Sequence, residues 1–145
     1  GLDFYQVIAH LLAVTGDPSG DGSGNSGKFI PDEDLGEDRR LPMRGSLVMA
    51  KLPTGEPGSF VPNSASSQFS ILFLPLAQPI NQTVFGRVIE GMDVVSSLRR
   101  VDSHKEKKKN EVQVPPDRIL TAEVIRRPDQ LPAVQYVSPG ASPKK

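Results

Sequence analysis

Cysteine and tryptophan are both absent from this 145-residue chain, and apolar residues make up only 37% of it. No stretch approaches the ~20 consecutive apolar residues of a membrane span. Without cysteine there are no disulfides, thiolate zinc sites or cysteine nucleophiles, an absence that is neutral about compartment. Lysine and arginine (17) balance aspartate and glutamate (17), so the net charge is zero and the global electrostatic footprint of a nucleic-acid binder is missing. No basic-then-apolar leader opens the chain. A start at Gly1 rather than Met leads us to expect a processed start or a missing upstream piece.

What is abundant is glycine (13) and proline (14), together nearly one residue in five. That composition argues against a helical bundle and for strands joined by turns, in one domain able to bury roughly two-thirds of its unfolded surface. Phe4–Ile8 is aromatic and β-branched and reads as a strand, followed after a bend at Ala9-His10 by a second over Leu11–Val14. Gly16–Gly27 is a loop whose glycines, Asp and Asn permit repeated positive φ. Lys28–Met43 is charged and irregular. Further strands are predicted over Gly45–Lys51, Gln68–Leu74, Thr83–Val88 and Arg118–Ile125, with a long loop over Leu52–Ser66 and a turn region around Pro75, Pro79 and Asn81.

The period changes once. Met92, Val95 and Leu98, with Val94 paired to Leu98, mark one stripe of a short helix; Asp93 in its first turn and Arg99-Arg100 in its last suit the dipole. Ser103–Asn110 is a lysine-rich loop, and prolines beyond Arg127 mark a tail too poor in apolar groups to offset ordering entropy. Mostly β with long loops and one short helix, the chain suits a barrel or sandwich better than an open parallel sheet.

Gly22-Ser-Gly24-Asn-Ser-Gly27 matches the dinucleotide fingerprint by letter, but Pro31 blocks the helix that must open there. Asp17, Asp21 and Asn25 have the wrong spacing for an EF-hand, and Lys28 stands where its bidentate Glu belongs. The only histidines are His10 and His104; no Gly-x-Ser-x-Gly elbow surrounds Ser64, Ser66 or Ser67, and His104 reads as solvated. Lys105–Lys109 carries Glu106 and no aromatic neighbour, so it reads as a solvated loop rather than a nucleic-acid contact.

Several blocks, in order and spacing, resemble the cyclophilin family of peptidyl-prolyl cis-trans isomerases. They are Phe4–Ile8, Gly16–Gly24, Pro31-Asp-Glu33, Gly45–Ala50, Ser67-Gln-Phe69 and the long Thr83–Val95. The resemblance covers Leu2 to about Ile125. It implies a mostly β, antiparallel barrel of eight strands, here lacking its opening strands and first helix. On this reading residues 1–126 form a partial cyclophilin-like domain and 127–145 a Pro-rich flexible tail. An incomplete sheet leaves amides unpaired, so a partner segment or self-association is expected to complete it.

The resemblance also implies rotation about Xaa-Pro bonds, whose barrier is about 20 kcal/mol, with no cofactor. The family's Arg, which hydrogen-bonds the proline nitrogen, is replaced by Gln6. Val14 stands for its Gln, Leu11 and Leu12 for its Phe and Met, Ser70 for a second Phe, Gln82 for its His, and no Trp lies near Pro79. Phe69 matches an aromatic pocket residue, while Ala50 and Gln68 match positions lining the peptide groove; with Leu12 these are the expected peptide-binding residues. Three functions follow: a weak isomerase, a non-catalytic module holding proline-containing peptides, or a structural subunit of a larger assembly. Neither nucleic acid nor membrane is an expected partner, and the compartment is not legible.

Overall fold

The computed structural model describes residues 1–33, 36, 39–77, 80–105, 114–125, 129 and 133–141. The strands are β1 (Leu2–Asp3), β2 (Gln6–Ile8), β3 (Leu12–Thr15), β4 (Ser46–Met49), β5 (Phe69–Leu72), β6 (Val84–Arg87) and β7 (Arg118–Ile119), with one helix, α1 (Met92–Ser96). All pairings are antiparallel: a five-stranded sheet in the order β2-β3-β5-β4-β6, and a two-stranded one, β1-β7.

Among the described residues the strands form an open antiparallel sheet, as expected of a cyclophilin-like barrel that lacks its opening strands. Closure needs a strand on both sides of every member, and β6 has only β4 beside it. The outer edge of β2 is met by residues 101–103 instead, through Val7 N to Val101 O (2.7 Å) and Ser103 N to Tyr5 O (3.2 Å).

Most predicted strands are shorter than their sequence signals, while the run Leu11–Val14 keeps its length but shifts by one residue to Leu12–Thr15. The largest difference is at the C-terminal one, predicted over Arg118–Ile125: only Arg118 and Ile119 find a partner, in Asp3 and Leu2, and Leu120, Val124 and Ile125 stand exposed. Apolar character had marked that run, but strand structure needs a neighbour to take its amides. In α1, Met92 and Val95 pack on the core with the following Leu98, whereas Val94, the remaining member of the expected stripe, is exposed. The helix ends at Ser96, before Arg99-Arg100; the Arg100 guanidinium instead reaches the Ser96 carbonyl (2.8 Å) and lies over the Phe73 ring.

Register decides which face each residue takes, because side chains alternate along a strand. Val7, Ala13, Ile71 and Leu47 face one another across four strands and, with Phe4 and Phe73, form the main core. The adjacent row, Gln6, Val14, Ser70 and Val48, points to the opposite face. There Val48, Leu72 and Val84 make a second apolar cluster beside Leu12. Gln6 ends that row at the β2 edge, and Ser70 lies within it between Val14 and Val48.

The fingerprint-like run Gly22–Gly27 is loop, with no helix after it. The flexible-tail reading falls partly on residues 127–128, 130–132 and 142–145, and the lysine-rich loop partly on 106–110, outside the described residues. Within the described tail, Val137 N donates to Phe29 O (3.0 Å) and Gly140 N to Pro62 O (2.7 Å).

Candidate functional site

A cleft of about 430 Å³ opens over the Gln6–Val14–Ser70 row. Its walls come from the loop after β4 (Ala50, Leu52), the glycine loop (Gly22, Asn25) and His104. Of the residues singled out in sequence, Gln6, Leu12, Ala50 and Gln68 converge on this cleft together with the replaced positions Val14, Ser70 and Gln82. Phe69 does not line it. Gln68 and Ser70 face the cleft, so the residue between them must face the other way; Phe69 packs on the main core and meets Phe85 edge-on, 5.9 Å between centroids. Pro79 lies outside the described residues.

The glycine loop is held by one buried carboxylate. Asp17, 1% exposed, accepts from the amides of Ser19 (2.8 Å), Asp21 (3.1 Å) and Gly22 (2.6 Å). Gly16 precedes it at φ +90°, where a Cβ would collide with the Ser67 carbonyl oxygen. The neighbouring Gly22, at φ +93°, lets the loop approach His104 and Tyr5. Both positions need glycine for conformation and for space.

Gln68 ties this loop to the sheet. Its Oε1 accepts from the Tyr5 hydroxyl (2.6 Å), and its Nε2 donates to the carbonyls of Gly22 and Gly24. With its amide so engaged, Gln68 shapes the wall more than it offers a free donor. Burial, reinforced by the Asp17 charge, pushes the Tyr5 hydroxyl up from its ordinary 10.0 to about 12.

That shift sets a pH dependence. The folded state favours neutral Tyr5, so the contribution is fully present below pH 10 and is lost as pH rises towards about 12. Denaturation midpoints measured across this range should fall more steeply for the unaltered chain than for Tyr5→Phe. The variant should start lower, by about 1–2 kcal/mol, because Gln68 Oε1 loses its donor. Parallel curves would show that Tyr5 does not carry this dependence.

At the mouth of the cleft, Gln6 Nε2 lies 3.1 Å from Asp102 Oδ1 and 3.2 Å from His104 Nδ1. His104 stacks edge-on with Tyr5 at 6.1 Å. Sequence reasoning missed Asp102 and read His104 only as solvated: both are nearly a hundred residues from Gln6, and no local motif joins them. A second cavity, of about 460 Å³, shares Lys51, Phe60 and Gln82 with the cleft. At their boundary Lys51, its side chain 8% exposed, pairs with Asp32 at 2.6 Å.

Comparison with known proteins agrees with this architecture. The family model described as Cyclophilin type peptidyl-prolyl cis-trans isomerase/CLD matches residues 1–124. The chain belongs to the cyclophilin-type peptidyl-prolyl cis-trans isomerase family. It is 37% identical over 109 residues to a peptidyl-prolyl cis-trans isomerase of Arabidopsis thaliana, covering 70% of this chain and 15% of that protein. To peptidyl-prolyl cis-trans isomerase-like 1 of Aspergillus niger it is 32% identical over 109 residues, covering 71% of this chain and 60% of that one. The chain thus spans less than two-thirds of the length of either relative. The crystal structure of a Cryptosporidium parvum cyclophilin type peptidyl-prolyl cis-trans isomerase, in the presence of the dipeptide Ala-Pro, superimposes with a TM-score of 0.56 at 28% identity, over 72% of this chain and 66% of that one.

Proposed function

We propose that the cleft over Gln6, Val14 and Ser70 holds Xaa-Pro segments and isomerises them slowly. The observation that carries this is the engagement of the Gln6 amide, at the family's Arg position, by Asp102 and His104. Rotation about the Xaa-Pro bond proceeds as amide resonance is lost and the proline nitrogen becomes a better acceptor. An Arg there would supply a charge-assisted donor, roughly twice as strong as a neutral one. A Gln whose two N–H groups are already directed elsewhere supplies much less. Leu12 and Ala50 give the ring an apolar contact, and Gln68 holds the loop that bounds it. Phe69, on the opposite face, supports Ser70 from behind.

The test is isomerisation of an Ala-Pro peptide followed by exchange NMR with the full chain. Catalysis well below that of an intact cyclophilin is expected; exchange indistinguishable from buffer, with no binding, would sink the reading. Binding without exchange would establish the second reading, a non-catalytic module for proline-containing peptides, which the engaged Gln6 amide also favours.

We further propose that the open edge of β6, with Phe85 and Ile89 exposed beside it, takes an added strand from a second copy or another segment. Sedimentation should then reveal concentration-dependent association, and a monomer at all concentrations would remove the self-association arm.

A further inference from the structure

We propose that His104 is a positioning residue for Gln6, holding its amide away from a bound proline until the imidazole is protonated. This rests on the peptide-cleft reading above. The Gln6 amide nitrogen carries two hydrogens and faces two acceptors, Asp102 Oδ1 at 3.1 Å and His104 Nδ1 at 3.2 Å. Asp102 fixes the sense of the amide: a flipped Gln6 would set its Oε1 against a carboxylate oxygen. Nδ1 can accept only from the neutral ring with its proton on Nε2. In that state both Gln6 donors are occupied, and none is directed at the cleft.

Backbone and side-chain bonds support this arrangement. Gln6 and Asp102 are bridge partners on the β2 edge, and the same Asp102 oxygen accepts from the His104 backbone amide at 3.1 Å. Tyr5 holds the ring edge-on, and Gly22 lies against Nε2. Among the described residues, the charged or titratable groups nearest the ring are Asp102 and Lys105 on its own loop, Tyr5 on the strand side, and Asp17 and Asp21 in the glycine loop. Asp17 is bonded to loop amides and Asp21 to Ser23.

Protonation converts Nδ1 from acceptor to donor. It then repels the Gln6 N–H and turns to Asp102 Oδ1, already 3.7 Å away. One Gln6 N–H is released towards the cleft, where a proline nitrogen or peptide carbonyl can accept it. With the ring protonated, the site therefore gains a donor.

The experiment uses the full chain labelled with nitrogen-15, titrated from pH 8 to pH 5, with the dipeptide Ala-Pro as the ligand probe. The Gln6 side-chain amide resonances should move in step with the His104 ring, and Ala-Pro affinity should rise by about tenfold, the worth of one good hydrogen bond. His104→Asn, which keeps an acceptor near the Nδ1 position but does not titrate, should abolish both responses. Gln6 resonances indifferent to His104, or a pH slope that survives in His104→Asn, would overturn the proposal. Binding of Ala-Pro with no slope overturns it alone; absence of binding at either pH, with Gln6 still following His104, instead overturns the peptide-cleft reading on which it rests.

Discussion

The double variant Gln6→Arg with Ser70→Phe should isomerise an Xaa-Pro peptide at least about a hundredfold faster than the unaltered chain. Losing one preorganised donor costs about 3 kcal/mol in the transition state, on the order of a hundredfold in rate, and Arg at position 6 restores that contribution. Its charge also has a ready partner, since Asp102 already lies against the Gln6 amide. Ser70 stands in the same cross-strand row, opposite Val14 and Val48, on the floor of the cleft. A Phe there would offer the proline ring apolar surface worth roughly 1.5–3 kcal/mol when covered. The two changes act on different parts of the substrate, so each single variant should fall between the unaltered chain and the double. Isomerisation by all four proteins, after folding is checked, decides the matter. If the unaltered chain already matched an intact cyclophilin, the family's Arg would be dispensable here and the argument refuted.

Asp17→Ala should destabilise the fold by about 4 kcal/mol, the largest stability effect expected of a single polar side chain here. Three amides lose their acceptor at once, and a charged acceptor strengthens each bond. Asp17→Asn should cost about half as much, because an amide oxygen in the Oδ2 position still serves Asp21 and Gly22 while the Ser19 bond and the charge are lost. Urea denaturation gives both numbers. Equal, small losses would show that water replaces the carboxylate and that the glycine loop does not depend on it. The cleft should respond as well: Gly22 and Gly24 carry the carbonyls that hold Gln68, so Ala-Pro binding should weaken in Asp17→Ala in parallel with stability.

How much of this was legible in the sequence differs by element. Short apolar runs bounded by loop signals, such as Gly45–Lys51 and Thr83–Val88, located the strands, because a run too short for a buried helix between glycine- and proline-rich segments suits an extended chain. The glycine loop announced itself equally well, since repeated positive φ demands that composition. The C-terminal strand did not: Arg118–Ile125 has the pattern, but only the two residues facing Leu2 and Asp3 have a partner. The facing of Phe69 was lost at the same level. Matching it to a pocket residue by position ignored parity, and parity is set by the neighbouring rows, in which Ser70 sits between Val14 and Val48.

The sequence by itself determined the class of fold, the order of its predicted strands along the chain and the glycine loop, because each of these is written in contiguous residues and in their spacing. Only the tertiary structure decided that Gln68 is tied to Tyr5 rather than free, and that Asp102 and His104 take hold of Gln6. These depend on contacts between residues far apart in the chain, which form only when the hydrophobic rows fix the register and leave no other place for the polar groups to find partners.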